Sequence, residues 1–273
     1  MPPRGVPYVS PVVTVGTETL QAVEQFIYLG STISADCSID AEVANRISKA
    51  SSAFGALTSK LWNVRGIRCQ TKLSVYRAVV LPTLLYAAES WTYYRRHIRQ
   101  LDAFHQSCLR KILNIKWQDK VSNAEVLQRA SSVGMEALLM KAKLRWAGHV
   151  VRMDDSRLPK QVLYSQLKVG KRQPGGQKLR FKDTLRTALQ KCEIDVKCWE
   201  DFCKDRSSWR RLIHSSVGKF EHERIAAVVA KRAVRKDRTA AVAAAATVFV
   251  CTHCGKACLS RIGLVGHRRV HRT

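Results

Sequence analysis

The chain has 273 residues, 46% of them hydrophobic, which suits one medium domain with appendages or two small ones and excludes a disordered tail. Its net charge of +26 is unevenly placed: residues 1–140 carry 16 Lys/Arg against 10 Asp/Glu, and residues 141–273 carry 31 against 11. A rear half this basic predicts a polyanionic partner, nucleic acid before a membrane surface. Nine cysteines are an odd count, MPPRGVPYVS has no apolar signal core, and no apolar run reaches the roughly 18 residues of a membrane span. A reducing, intracellular setting with thiols free or on zinc is therefore expected, not a secreted one.

Residues 11–34 read as strands: VVTV is β-branched, Gly16-Thr17 supplies a turn, and QFIYLGSTIS is aromatic and β-branched. Asp40 can cap a helix whose apolar positions Val43, Ile47, Phe54, Leu57 and Leu61 fall near one face. A second helix starts near Thr71 and is apolar on most sides through Val79, Val80 and Leu81. Pro82 then interrupts or kinks it. A third carries Leu101, Phe104, Cys108, Leu109, Ile112 and Leu113 as a stripe, and the three are expected to pack as a small bundle.

Ser122 with Glu125 makes a capping box for a short helix. After Gly134, MEALLMKAKLRWAGHVVRM reads as a helix with apolar and basic faces. The segment GKRQPGG from Gly170 to Gly176 is turn-prone and basic, flanked by Lys168, Lys178, Arg180 and Lys182. Its glycines and Lys171 and Arg172 suit either a phosphate backbone or a plain linker. FKDTLRTALQKC and WEDFCKDRSSWRRLI follow as helices, anchored by Trp199, Phe202, Trp209 and Leu212. The alanine-rich, charged tract from Phe220 to Ala246 reads as an exposed helix or helical tether. Tyr93, Tyr94, Arg95, Arg96 and His97 form an aromatic–basic cluster, which suits base stacking with arginine on phosphate, or a solvated helix end. His149, in LRWAGHVVR, has no nucleophile or carboxylate at a telling spacing and is expected to pack or bond backbone.

The last residues carry the sharpest motif. Cys251, Cys254, His267 and His271 follow the pattern C-x2-C-x12-H-x3-H, the four N/S ligands of a tetrahedral zinc site on a small hairpin and one helix. Phe249 and Leu264 stand at core positions of such a finger, while Cys258 stands where an aromatic is usual, so its core is under-filled. The base-reading positions fall on Ser260, Gly263 and Gly266, which cannot make the bidentate contacts that discriminate bases. Each glycine also weakens the helix, by about 0.8–1.0 kcal/mol relative to alanine. Lys256, Arg261, Arg268, Arg269 and Arg272 suit phosphate contact. The expectation is a zinc-stapled clamp indifferent to sequence, with a protein-binding finger as the other reading. Cys192, Cys198, Cys203 and His214 have no familiar metal spacing and are expected to be helix-buried cysteines.

In order along the chain, FIYLGSTIS, ISKASSAFGAL, TKLSVYRAVVLPTLLYAAESWT, LDAFHQSCLRKIL, LRWAGHVVRMDDSRLPK and GKRQPGG with RFKD resemble the C-terminal part of the reverse transcriptase of LINE-type, non-LTR retrotransposons. The resemblance spans roughly residues 20–215. It implies that YLGS closes the palm near the primer grip, that the next helices form the thumb, and that the basic region beyond holds template RNA or target DNA. Several such proteins end in a cysteine–histidine zinc element. The family's Y-x-D-D carboxylates are missing: the adjacent acidic pair Asp154-Asp155 lies in a basic segment and reads as a loop or helix-terminal pair. No phosphate-binding loop or nucleophile elbow is present either. Without those carboxylates or any endonuclease motif, no catalytic residue and no enzymatic activity are expected.

The expectation is a mainly α protein: a residual palm-edge β segment (1–36), a thumb-like helical bundle (37–133), a basic post-thumb region (134–219), a helical tether (220–246) and a ββα zinc finger (247–273). Its function would be non-catalytic binding of RNA or DNA, mainly through phosphates, with Zn2+ as the cofactor and no small-molecule substrate. Two alternatives stand beside it: a zinc-finger adaptor or decayed transposon product, and a partial polymerase subunit that needs a separate palm. Nuclear residence follows from the family and the charge, with KRAVRK at 231–236 as a basic run.

Overall fold

The computed structural model describes residues 12–165, 178–245, 249–258 and 260–271. It is mainly helical, as expected, and divides into two compact units, Met1–Glu221 and His222–Thr273. Among the described residues no helix is long and apolar enough to cross a membrane.

The first unit opens with two short antiparallel hairpins, Thr14–Val15 (β1) with Glu18–Thr19 (β2) and Gln25–Tyr28 (β3) with Ser31–Ser34 (β4). Leu29 and Gly30 turn between β3 and β4 with φ of 47° and 80°, the positive values that match a two-residue turn to the twist of its strands. The YLGS motif is therefore a tight hairpin turn. Helix α1, Asp40–Ala56, holds it: Glu42 accepts from the Thr32 N–H at 2.6 Å, while Arg46 pairs with Glu42 at 2.7 Å and donates to the Gly30 carbonyl at 2.7 Å.

The second predicted helix is α2, Cys69–Val75, running through a wider π turn at Tyr76–Val80 into α3, Leu81–Leu84. Pro82 has no N–H and its ring crowds the preceding turn. The chain passes it by inserting one residue, so that the Leu81 N–H reaches back to the Tyr76 carbonyl. The proline thus neither ends the helix nor leaves it regular. Helix α4, Arg95–Ile112, buries Leu101, Cys108, Leu109 and Ile112 as its stripe predicts. It also buries His105, whose Nδ1 lies 2.7 Å from the Tyr76 hydroxyl; burial holds this imidazole down to about 4. Helix α5, Asn123–Arg129, starts at Ser122, whose hydroxyl accepts from the Glu125 N–H at 3.3 Å.

Helix α6, Met135–Val151, is the wall common to two hydrophobic clusters. Met135 and Leu139 close the cluster built by α1 to α5. Met140, Leu144 and Ala147 open the second, with Leu185 and Leu189 of α8 (Phe181–Lys191), Cys203 of α9 (Trp199–Lys204) and Trp209 and Ile213 of α10 (Arg206–Ala245). The expected basic face is interrupted, because Lys143 is fully buried. Its ammonium donates to the Trp91 carbonyl and the Thr184 hydroxyl at 2.6 Å each, and lies 4.4 Å and 4.9 Å from the ring centres of Tyr93 and Phe181. Burial alone pushes it down to about 7, and the two acceptors and two ring faces pull the other way.

Between α6 and α8 lies α7, Leu158–Tyr164. The stretch expected as one helix from Trp199 onward breaks at Asp205, whose carboxylate accepts the N–H groups of Ser207 and Ser208 at 3.0 and 2.9 Å. That is N-cap chemistry, and it starts α10 afresh. Because of the break Phe202 is exposed and Cys203 takes the inward place beside Trp199. Helix α10 belongs to the first unit up to Glu221. From His222 its described side chains are half-exposed or exposed. In the second unit, Phe249–Val250 (β5) pairs with Ala257–Cys258 (β6), followed by helix α11, Arg261–Arg268, and one 3-10 turn to His271.

Candidate metal centre and nucleic-acid interface

The metal centre is assembled by a hairpin and a helix. Gly255 takes φ of 72°, which lets its N–H reach the Cys251 carbonyl at 2.9 Å and closes a knuckle around Cys251 and Cys254. Ser260 caps α11 by accepting from the Gly263 N–H at 3.0 Å. The helix then presents His267, and the 3-10 turn presents His271. The ligand atoms of Cys251, Cys254, His267 and His271 all lie within 4.8 Å of one another. Cys254 Sγ is 3.1 Å and His271 Nε2 3.2 Å from His267 Nε2.

The two shortest separations fall slightly inside, and the 4.8 Å limit outside, the spacing around a bound cation. With metal–sulfur and metal–nitrogen bonds of about 2.3 and 2.0 Å, tetrahedral ligands sit roughly 3.3–3.8 Å apart. Two imidazole nitrogens and two thiols converge here, the donor set that a tetrahedral metal ion takes. Backbone N–H groups of His253, then Cys254, draw the Cys251 thiol below its ordinary value, with the Arg268 charge adding to them. Desolvation, then His271 and Lys256, hold His267 below its own. Both shifts favour the deprotonated forms that bind metal. The four residues lie close enough to hold a metal ion, and it is the only such cluster among the described residues. Cys192 and Cys203 are buried, with thiols raised to about 11 and about 12 by burial, as expected of packing cysteines.

The expected phosphate-binding residues divide into groups. Lys256, Arg261, Arg268 and Arg269 are all exposed around α11. Lys178 contacts the Asp36 carbonyl, Arg180 pairs with Asp183 at 2.9 Å, and Lys182 donates to the Ser165 carbonyl at 2.9 Å. Arg95 and Arg96 keep exposed guanidinium groups, yet each has a carboxylate: Glu136 at 3.3 Å and Asp40 at 2.6 Å. The neighbouring aromatics serve packing. Tyr93 covers Lys143, the Tyr94 hydroxyl accepts from the Leu179 N–H at 3.0 Å, and buried His97 meets Asp40 at 2.8 Å. The hydroxyl of Ser38, then His97, hold Asp40 down to about 2. Lys168, Lys171 and Arg172 lie outside the described residues. The pair Asp154-Asp155 sits in the turn after α6, where Asp154 accepts from the Ser156 N–H and Asp155 pairs with Lys160 at 2.7 Å.

Over 208 residues the chain is 27% identical to a Caenorhabditis elegans protein described as uncharacterized and transposon-derived, covering 74% of each. No family profile and no solved structure matches the chain.

The structure also brings together residues that the sequence did not connect. Arg145, Trp146 and His149 of α6, with Arg152 just after it, line a groove of about 480 Å3 together with Arg206, Arg210 and Ile213 of α10 and Glu89. Gly148 makes this possible. A Cβ there would meet Trp209 Nε1 at 2.1 Å, so only glycine lets the buried Trp209 lie on α6 and donate to the Leu144 carbonyl at 3.0 Å. Arg145, His149 and Arg152 follow helical spacing, as do Arg206, Arg210 and Ile213, so each set lines one face of its helix. Arg152 is tied to the Cys203 carbonyl at 2.6 Å. The signal in the sequence was the i, i+4 basic spacing flanking WAGH and preceding Trp209; what the sequence lacks is the pairing of the two faces.

Proposed function

We propose that this chain is a transposon-derived protein that binds nucleic acid through phosphates, has no polymerase chemistry of its own, and carries a zinc finger as an auxiliary contact. The observation that carries this reading is the groove between α6 and α10. Exposed Arg145, Arg206 and Arg210 converge on it with no ion pair or hydrogen bond of their own among the described residues. Four arginines against one carboxylate, Glu89, in the lining leave an excess of positive charge that favours an incoming anion. The likeness to a transposon-derived protein supports the origin, and the order of sequence motifs supports descent from the thumb and post-thumb region of a LINE-type reverse transcriptase. Zinc on Cys251, Cys254, His267 and His271 would crosslink the hairpin to α11 and so fix Arg261, Arg268 and Arg269 in space. Those arginines and two bare glycines suit contact with phosphates rather than with base edges. A tethered second contact raises the effective concentration of the first. RNA or DNA in the nucleus is the partner this reading implies.

The test is a titration of fluorescent RNA and DNA with the full chain at several salt concentrations. Log affinity should fall with log salt by about 0.9 per duplex phosphate contacted and about 0.7 per single-strand phosphate. A flat salt response would remove the proposal.

One observation favours a second reading for the finger alone. Ile262 and Val265 of α11 are 86% and 55% exposed, which suits a protein-binding face. A Cys254→Ser chain that loses its metal but keeps full affinity for nucleic acid would favour that reading.

A further inference from the structure

The groove between α6 and α10 holds more than cations. Trp146, half-buried, lines it together with Arg145 and His149 of the same helix and Arg206 and Arg210 of α10. Its ring centre is 5.5 Å from that of His149, with the planes tilted by 54°, so the two rings form an open wedge. Ala142, Trp209 and Ile213 add apolar lining, and Glu89 is its sole carboxylate. A groove for phosphate alone has no use for an indole between its arginines. A volume of about 480 Å3 falls within the roughly 300–1,000 Å3 of small-molecule sites, which suits one nucleotide and is small for a duplex.

We propose that the α6–α10 groove seats one unpaired nucleotide of a single strand, with its base against Trp146 and its flanking phosphates on Arg145, Arg206 and Arg210. The inference rests on the nucleic-acid reading above and sharpens it. A base still paired in a duplex cannot turn its face to the indole, whereas an unpaired base stacks on an aromatic ring whatever its identity. His149, which lines the same groove, offers the base an edge. The groove is backed by buried Trp209, seated on Gly148 and bonded to the Leu144 carbonyl.

The test uses the full chain, a fluorescent single-stranded 12-mer of uridines and a 12-base-pair duplex, with anisotropy read at several salt concentrations. Trp146→Ala should weaken single-strand binding roughly 10-fold or more while duplex affinity changes less than about twofold, and Trp146→Phe should restore most of the loss. Arg206→Ala with Arg210→Ala should weaken single-strand binding and lower the salt slope by about 1.4 for two phosphate contacts. Should Trp146→Ala prove unstable by circular dichroism, photocrosslinking a 4-thiouridine strand to the unaltered chain should label a peptide of α6 that contains Trp146. Unchanged single-strand affinity in Trp146→Ala, an equal loss on both nucleic acids, or labelling confined to peptides outside α6 and α10 would overturn the groove assignment and leave the general reading standing. An unaltered chain that binds neither nucleic acid would overturn that general reading itself.

Discussion

The two compact units hold their cations in place by different means. In the first, the groove arginines stand on helices fixed by buried apolar contacts: Leu144, Leu189, Cys203, Trp209 and Ile213 pack behind them, each large side chain stabilising by about 1.5–3 kcal/mol. In the second, the described finger residues bury little besides Cys251 and Cys258, while Val250, Ile262 and Val265 face solvent. The sequence gives the reason, since Cys258 fills less space than an aromatic would there. A basic surface can therefore be built on a core or on a metal, and the two should fail under different treatments.

Removing the metal should open the widest gap between them. Structural zinc provides about 10–16 kcal/mol of apparent binding free energy in fingers of this kind. A chelator should unfold residues 249–271 and leave the first unit intact. All six tryptophans precede His222, so their fluorescence should hold steady while the visible spectrum of a cobalt-loaded finger disappears. A tryptophan change that tracks metal loss would erase the distinction.

Acid should attack the first unit through His105. Its folded pKa, about 4, lies below the ordinary 6.5, so the unfolded chain binds the extra proton between those values. Stability is then greatest above pH 6.5 and falls as pH drops through 4, by about 3 kcal/mol. Asp40, held down to about 2, adds a smaller loss between its ordinary 3.8 and 2. In His105→Gln, urea melts followed by tryptophan emission should lose most of the dependence between pH 6.5 and 4; an unchanged profile would show that another group titrates.

Gly148→Ala sharpens the contrast from the packing side. The added methyl would overlap the buried Trp209 ring, and overpacking of this sort costs roughly 1–3 kcal/mol. Thermal unfolding of the first unit should shift down while metal affinity stays constant. Ser260→Ala should do the reverse on a smaller scale: losing the cap on α11 costs about 1 kcal/mol. It should weaken metal binding and leave tryptophan fluorescence unmoved.

Much of this arrangement was legible in the sequence where local chemistry decides structure. The apolar stripe of α4, the Ser122 cap and the helix after Phe220 follow from spacing and side-chain type, and the ligand set of the finger follows from four residues in one short stretch. The strands were legible in kind but not in extent, since residues 14–34 form two short hairpins, one turned by YLGS, with β3 exposed along its length. Lys143 was not legible, because a lysine in a helical pattern reads as surface until its two acceptors and two rings are known. Asp205 looked like one more polar helix residue, although its carboxylate starts α10. The groove was the least legible, because its two arginine rows belong to separate helices and meet only where Gly148 admits Trp209.

The start of α6 depends on a residue far along the chain. Buried Glu221 accepts the Gly134 N–H at 2.7 Å, placing a carboxylate at the N-terminal end of the central helix, where it also suits the helix dipole. A reading frame cut or shifted before residue 221 would strip α6 of that partner, so genetic change upstream of this point is penalised in the hydrophobic interior. A chain ended before Glu221 would therefore leave the Gly134 N–H without its carboxylate acceptor at the start of the central helix.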